Sequence, residues 1–215
     1  MINEVLIYVE GPSDKRAMRE LLVSLIEEKE KQGMAIDFVE AGKGDRKAFL
    51  LTRVPEIAVK ILLNKPQSSV VALPDLYPRH KAFPHETAAE LYAGIRRNFE
   101  KALRNKIGNV EARYTERFHV FCFKHDLEAL LLAAEDALRS RLGAQSLKVT
   151  WIIPVEDQNH NQPPKRIVER LFGDHGQRYK DTIDAPLILS ACNYQEIAAK
   201  CPQCFKPLVD FLESL

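Results

Sequence analysis

Four short runs of β-branched and aromatic apolar residues, each followed by a turn and a helical pattern, restrict this chain more than any other feature. The runs are Glu4–Val9, Ala35–Glu40, Ser69–Leu73 and Phe118–Phe123. Short apolar runs bounded by turn residues read as buried strands. Between them Met18, Leu21, Leu22, Leu25 and Ile26 recur at helical spacing, a second helical pattern runs from Lys47 to Leu63, and a third from Glu86 to Lys106. A helix between consecutive strands carries the chain back to the edge from which it left, so the strands pair in parallel. The expectation is an α/β fold: a mostly parallel, Rossmann-like sheet of about four strands flanked by helices.

Local signals refine this outline. Gly11-Pro12 breaks the first strand, Ser13 can cap the helix that follows, and Gly33 can end it. Pro55 should interrupt or kink the second helix. After the fourth strand, His125-Asp126-Leu127-Glu128 opens a helix with Leu127, Leu130, Leu131, Ala134 and Leu138 inward. Beyond Gly143 the alternation stops. Leu147–Pro154 reads as a further strand and Asp157–Pro164 as a loop. Short helices follow over Lys165–Phe172, Thr182–Leu189, Tyr194–Lys200 and Phe205–Leu212, with Asn193 and Glu196 forming a capping box. The expected organisation is an α/β core over residues 1–145 and a mainly helical C-terminal extension over 146–215, packed on the same domain.

Composition narrows the function classes. The formal net charge of +1 announces no global field for a polyanion, so a nucleic-acid surface would have to be a local patch. The densest basic stretch lies between Arg96 and Arg117, where Arg96, Arg97, Lys101, Arg104, Lys106, Arg113 and Arg117 face Glu100, Glu111 and Glu116. A solvated helix face accounts for that excess nearly as well as phosphate binding does. No stretch has the roughly 18 apolar residues of a membrane span. The N-terminus lacks a basic segment leading into a long apolar one, so no signal peptide and no membrane are expected. Cys122, Cys192, Cys201 and Cys204 make no disulfide framework in a chain of 215 residues, and a reducing cytoplasm is expected. Cys201-Pro202-Gln203-Cys204 lacks the second pair that a zinc site needs.

Acidic residues carry the chemical signal. Glu10 follows the first strand, Asp75 the third, and Asp126 and Glu128 the fourth. Parallel strands end on one edge of their sheet, where open α/β folds bind ligands, so these carboxylates are expected to converge. Converging carboxylates repel unless a cation lies between them, and a hard divalent ion with oxygen ligands is the common solution. Such an ion supports phosphoryl and phosphodiester chemistry. Each residue also has a plainer reading: Glu10 as a turn or capping residue, Asp75 as a turn initiator, and Asp126 and Glu128 as favourable charges at a helix start.

The chain resembles a known family in several places. Val9-Glu10-Gly11-Pro12-Ser13-Asp14, Leu73-Pro74-Asp75-Leu76-Tyr77, Lys124-His125-Asp126-Leu127-Glu128-Ala129-Leu130-Leu131, Pro163-Pro164-Lys165-Arg166-Ile167 and Cys201-Pro202-Gln203-Cys204-Phe205 follow one another in the order of a Toprim-like bacterial family, domain of unknown function 4276. That family is related to the Toprim domains of topoisomerases, primases and overcoming-lysogenization-defect nucleases. The resemblance implies catalytic roles for Glu10, Asp75 and His125, and metal ligation by Glu10, Asp75, Asp126 and Glu128. It implies phosphate contacts from Lys165 and Arg166. Toprim domains usually carry Asp-x-Asp, and here Tyr77 holds the second position, so Asp126 or Glu128 would have to substitute.

Two functions from different classes follow. One is a Mg²⁺- or Mn²⁺-dependent nuclease acting on nucleic acid, DNA before RNA, with a separate ATPase subunit as partner in phage defence. The other is a catalytically degenerate Toprim-like module that binds nucleic acid or a partner protein. A small-molecule phosphotransfer domain ranks last, because no glycine-rich phosphate loop is present.

Overall fold

A computed structural model describes residues 2–215. In chain order the first elements are β1 (Glu4–Val9), α1 (Pro12–Leu21), α2 (Val23–Lys31), β2 (Ala35–Glu40), α3 (Arg46–Ala48), α4 (Val54–Asn64), β3 (Ser68–Leu73), α5 (Ala88–Ile107), α6 (Ala112–Thr115) and β4 (Phe118–Val120). The remaining helices are α7 (Glu128–Ala133), α8 (Glu135–Leu142), α9 (Pro164–Asp174), α10 (Asp181–Leu189), α11 (Tyr194–Lys200) and α12 (Phe205–Ser214). The chain groups into two compact units. One comprises the residues up to Gly11 together with Leu25–Cys122; the other comprises Pro12–Ser24 and Phe123–Leu215.

The first unit holds the sheet. Its strands run in the order β2-β1-β3-β4, and every pair is parallel. Every residue of β3 is buried, as a strand inside a parallel sheet requires when helices cover both faces. At the β2 edge, Ile36 and Phe38 point inward while Ala35 and Asp37 are exposed. Helix α5 starts at a reciprocal capping box between Thr87 and Glu90 and ends at Gly108, whose φ of 84° suits glycine. Its Phe99 ring stacks on Phe118 of β4 with centroids 4.4 Å apart.

Pro55 does not break its helix. The chain passes from α3 into α4 through a π-helical turn, Phe49–Arg53. Proline has no N–H to give the carbonyl one turn back, and Asn98 Nδ2 of α5 donates to the Leu51 carbonyl instead, at 2.9 Å. The unsatisfied acceptor is thus taken up by a neighbouring helix and the helical path continues.

The second unit is helical. Helix α1 begins at Pro12, not after a Ser13 cap, because proline's fixed φ and missing N–H suit the first helical position. It packs against α10, and α7 packs against α9. The expected strand over Leu147–Pro154 is absent. The Gln158 side chain accepts from Ile152 N–H and donates to Ile152 O and Val155 O, so a side chain takes the place of a neighbouring strand. The helix expected through Ala134 is divided there, where ψ of 43° ends α7 before α8 starts. Buried Glu156 accepts hydrogen bonds from the backbone N–H groups of Gln203, Cys204 and Phe205, which holds the start of α12.

Candidate functional site

Strand order brings Glu10 and Asp75 together. β1 and β3 are neighbours in a register that pairs Val9 with Leu73, so the next residues leave the sheet side by side. Asp75 N–H donates to Glu10 Oε1 at 3.0 Å. β2 flanks β1 on its other side, with Val9 opposite Glu40, and its outgoing turn carries Asp45 and Lys47 to the same edge. Lys47 is buried, and its ammonium donates to the Leu76 carbonyl at 3.2 Å and to the Pro78 carbonyl. Asp45 caps α3 by accepting from Ala48 N–H at 2.9 Å, and its second oxygen meets His80 Nε2 at 2.9 Å. Ala82 N–H donates to His80 Nδ1 at 3.0 Å, so that nitrogen accepts and Nε2 carries the proton toward Asp45.

Burial dominates the electrostatics of this group. It raises the Glu10 carboxyl above its ordinary range, while the Asp75 N–H and the Lys47 charge pull it back. Burial lowers the Lys47 ammonium, against the attraction of Glu10 and Asp75. The Ala48 N–H and His80 hold Asp45 low.

A second cluster lies within the helical unit. Asp126 Oδ2 accepts from Lys165 N–H at 3.3 Å, and Asp126 Oδ1 is buried with no hydrogen-bond partner among the described residues. Glu128 is 4 % exposed and accepts from the Tyr179 hydroxyl at 3.1 Å. The Lys165 ammonium lies 3.8 Å from Glu128 and 3.1 Å from Asp181. Burial, reinforced by the Glu128 charge, pushes the Asp126 carboxyl up to about 8. Burial also raises Glu128. For Lys165 burial works against the charge, but Glu128 and Asp181 outweigh it and its pKa is raised. Burial and then Glu128 keep the Tyr179 phenol protonated well above its usual range.

The expected site residues therefore fall into two groups, Glu10 with Asp75 and Asp126 with Glu128 and Lys165. His125 stands apart from both contact sets. It is buried, its ring faces His160 at 5.3 Å, and burial lowers its pKa against a hydrogen bond with the Gln158 backbone. Arg166 Nη1 reaches the Asn161 carbonyl at 3.5 Å, over a hollow of about 240 Å³ that Gln162 and Arg170 also line. A larger hollow of about 670 Å³ sits at the amino ends of the strands beside Glu4, Lys65 and Ser68. It is far along β1 from Glu10, and Glu4 there is already held by Lys65 and Ser68.

Sequence reasoning missed Lys47, His80, Tyr179 and Asp181. Lys47 had a signal: it precedes Leu50, Leu51 and Val54 by three, four and seven positions, on what becomes the buried face of the helix. Tyr179 and Asp181 had none, since they reach Glu128 and Lys165 through tertiary structure alone.

The donor chemistry fits a hard divalent ion held loosely. Glu10 and Asp75 carry carboxylates at one edge of the sheet, where hard cations take oxygen ligands. Among the described residues, no group of three or more His, Cys, Asp or Glu side chains is arranged to hold a metal. Mg²⁺ and Mn²⁺ are commonly held by one or two carboxylates with water and phosphate completing the shell. The arrangement does not suit a cage built wholly of protein.

Comparison with solved structures finds the C-terminal region of the Burkholderia pseudomallei OLD protein at 14 % identity and a TM-score of 0.48, covering 100 % of this chain and 98 % of that one. The C-terminal region of the Xanthomonas campestris pv. campestris OLD protein is similar at 16 % identity and a TM-score of 0.44, covering 98 % and 94 %. No curated protein matches the chain. The model of the family described as "Domain of unknown function (DUF4276)" matches residues 9–213, and the chain belongs to that family.

Proposed function

We propose that this protein is a Toprim-type phosphodiesterase that cleaves nucleic acid, DNA before RNA, with Mg²⁺ or Mn²⁺. The observation that carries the reading is the Glu10–Asp75 pair at the carboxyl ends of adjacent parallel strands, where one half-buried carboxylate is oriented by the other residue's backbone. Glu10 and Asp75 would hold the ion, which when bound supplies Lewis-acid polarisation of a phosphodiester and lowers the pKa of attacking water. Glu10 Oε1 is fixed by Asp75 N–H, so this carboxylate is preorganised. Asp126 and Glu128 form a group of their own in the helical unit, and the reading does not depend on them. Lys165 keeps its charge and is suited to a phosphate oxygen. His125 has no required part in this chemistry. By its resemblance to overcoming-lysogenization-defect nucleases, such an activity would work beside an ATPase on a separate chain, in phage defence.

Two observations favour a second reading, a binding module without turnover. Tyr77 occupies the second position of Asp-x-Asp, and its hydroxyl donates to the Glu86 carbonyl at 2.7 Å, so it does not stand in for the missing carboxylate. The buried Lys47 ammonium also supplies part of the positive charge that an ion would bring.

Mn²⁺-dependent nicking of supercoiled DNA separates the two. The phosphodiesterase reading expects nicking by the wild type and its loss in Glu10→Gln and in Asp75→Asn. Nicking that survives both substitutions sinks the assignment of the site, and DNA binding without nicking selects the binding module.

A further inference from the structure

The two loops beside Glu10 carry basic side chains that the proposed chemistry leaves unused. Lys43 lies on the turn after β2 and Arg46 at the start of α3, with Arg79 and Lys81 on the loop after β3; all four are exposed. These loops are tied to each other. The Asp45–His80 hydrogen bond joins their tips, and the Lys47 ammonium crosses from the first to two backbone carbonyls of the second. Gly44, with φ of 98°, gives the first loop the sharp turn that lets Asp45 face His80.

The charge ledger of this rim is one-sided. Asp45 is occupied by His80 and the Ala48 N–H and also feels the Lys81 charge, and Arg79 is paired with Glu86 at 2.8 Å. Lys43, Arg46 and Lys81 form no ion pair with a described carboxylate. Like charges on loops that cannot spread apart repel, and a polyanion lying across them relieves that repulsion. On α5, Arg104 is paired with Glu100 at 3.4 Å, while Arg96, Arg97 and Lys101 form no ion pair with a described carboxylate and supply a control surface on a single helix.

We propose that this clamped rim is the nucleic-acid grip of the protein, with Lys43, Arg46 and Lys81 contacting successive phosphates of the strand that passes Glu10 and Asp75. The inference deepens the proposed function and rests on it for the class of ligand. Asp45, His80 and Lys47 act as positioning residues that keep the rim in place, and none of them needs to touch the strand.

The test reads binding in EDTA, where no cleavage occurs, by fluorescence anisotropy of a short labelled DNA duplex and of an RNA of the same sequence. Wild type is compared with Lys43→Ala/Arg46→Ala/Lys81→Ala and with a control, Arg96→Ala/Arg97→Ala/Lys101→Ala, on α5. Each phosphate contact contributes about 0.9 to the slope of log affinity against log salt, so the rim variant should lose about 2.7 of that slope and bind at least about tenfold more weakly near 50 mM salt. Loss with either nucleic acid supports the rim, and the larger loss names the preferred one. Wild-type affinity in the rim variant, loss in the α5 variant instead, or no binding by the wild type overturns the proposal. Absence of nicking by the wild type with Mn²⁺ would sink the phosphodiesterase reading while leaving this affinity comparison intact, so the two claims fail separately.

Discussion

Replacing Asp126 with asparagine should stabilise the metal-free protein at neutral pH while leaving it little changed at acid pH. The carboxyl ionises near 3.8 in the unfolded chain and near 8 in the folded one, because burial and the Glu128 charge disfavour its ionised form. Between those values the folded state holds a proton that the unfolded state has lost, so stability falls as pH rises. Each pH unit corresponds to about 1.4 kcal/mol, which gives on the order of 3 kcal/mol between pH 5 and pH 7 from this residue. Glu128 is raised in the same direction and leaves a residual slope of the same sign. Asparagine keeps an oxygen for the Lys165 N–H but cannot titrate. Urea unfolding followed by circular dichroism at pH 5, 6 and 7 in EDTA measures the effect. The difference between Asp126→Asn and wild type should grow by on the order of 3 kcal/mol in the variant's favour across that range. Parallel pH dependences would refute the reasoning, since they would mean that the folded carboxyl is already ionised and compensated.

Two further perturbations test the frame that positions Glu10. Asn98→Ala should cost about 1–3 kcal/mol in denaturant unfolding, because it removes the donor to the Leu51 carbonyl that Pro55 cannot supply; an unchanged midpoint would show that the π-helical turn needs no such donor. Gly94→Ala should destabilise by about 1–3 kcal/mol, because a Cβ there would lie 2.1 Å from the Phe83 ring. Phe83→Ala in the same chain should recover most of that loss, and failure to recover it would place the strain elsewhere.

The strands were legible because a parallel sheet needs continuous apolar runs, and Val70-Val71-Ala72-Leu73 has no other use in a chain with helical patterns on either side. Glu10 and Asp75 were legible for the same reason: each is an acidic residue just past a run that must end at the sheet edge. What failed to show depended on partners distant in sequence. Pro55 looked like a break because Asn98 cannot be assigned to Leu51 before α5 is docked. Leu147–Pro154 looked like a strand because its apolar residues gave no sign that Gln158 would take up the Ile152 backbone. Lys47 was hidden by its charge, although its register with Leu50, Leu51 and Val54 put it on the inward face. Tyr179 and Asp181 are polar residues of an otherwise ordinary segment, and only the fold gives them Glu128 and Lys165 as neighbours.

The central claim is that Glu10 holds a divalent ion, and Mn²⁺ binding followed by the electron paramagnetic resonance of free Mn²⁺ tests it most directly. The titration uses wild type, Glu10→Gln and Glu128→Gln, each with a saturating non-cleavable oligonucleotide so that phosphate oxygens are available to complete the shell. The account predicts that wild type removes free Mn²⁺ from solution and that Glu10→Gln binds it at least about tenfold more weakly, a loss of about 1.4 kcal/mol or more. Equal binding by wild type and Glu10→Gln, or no binding by the wild type, would contradict it.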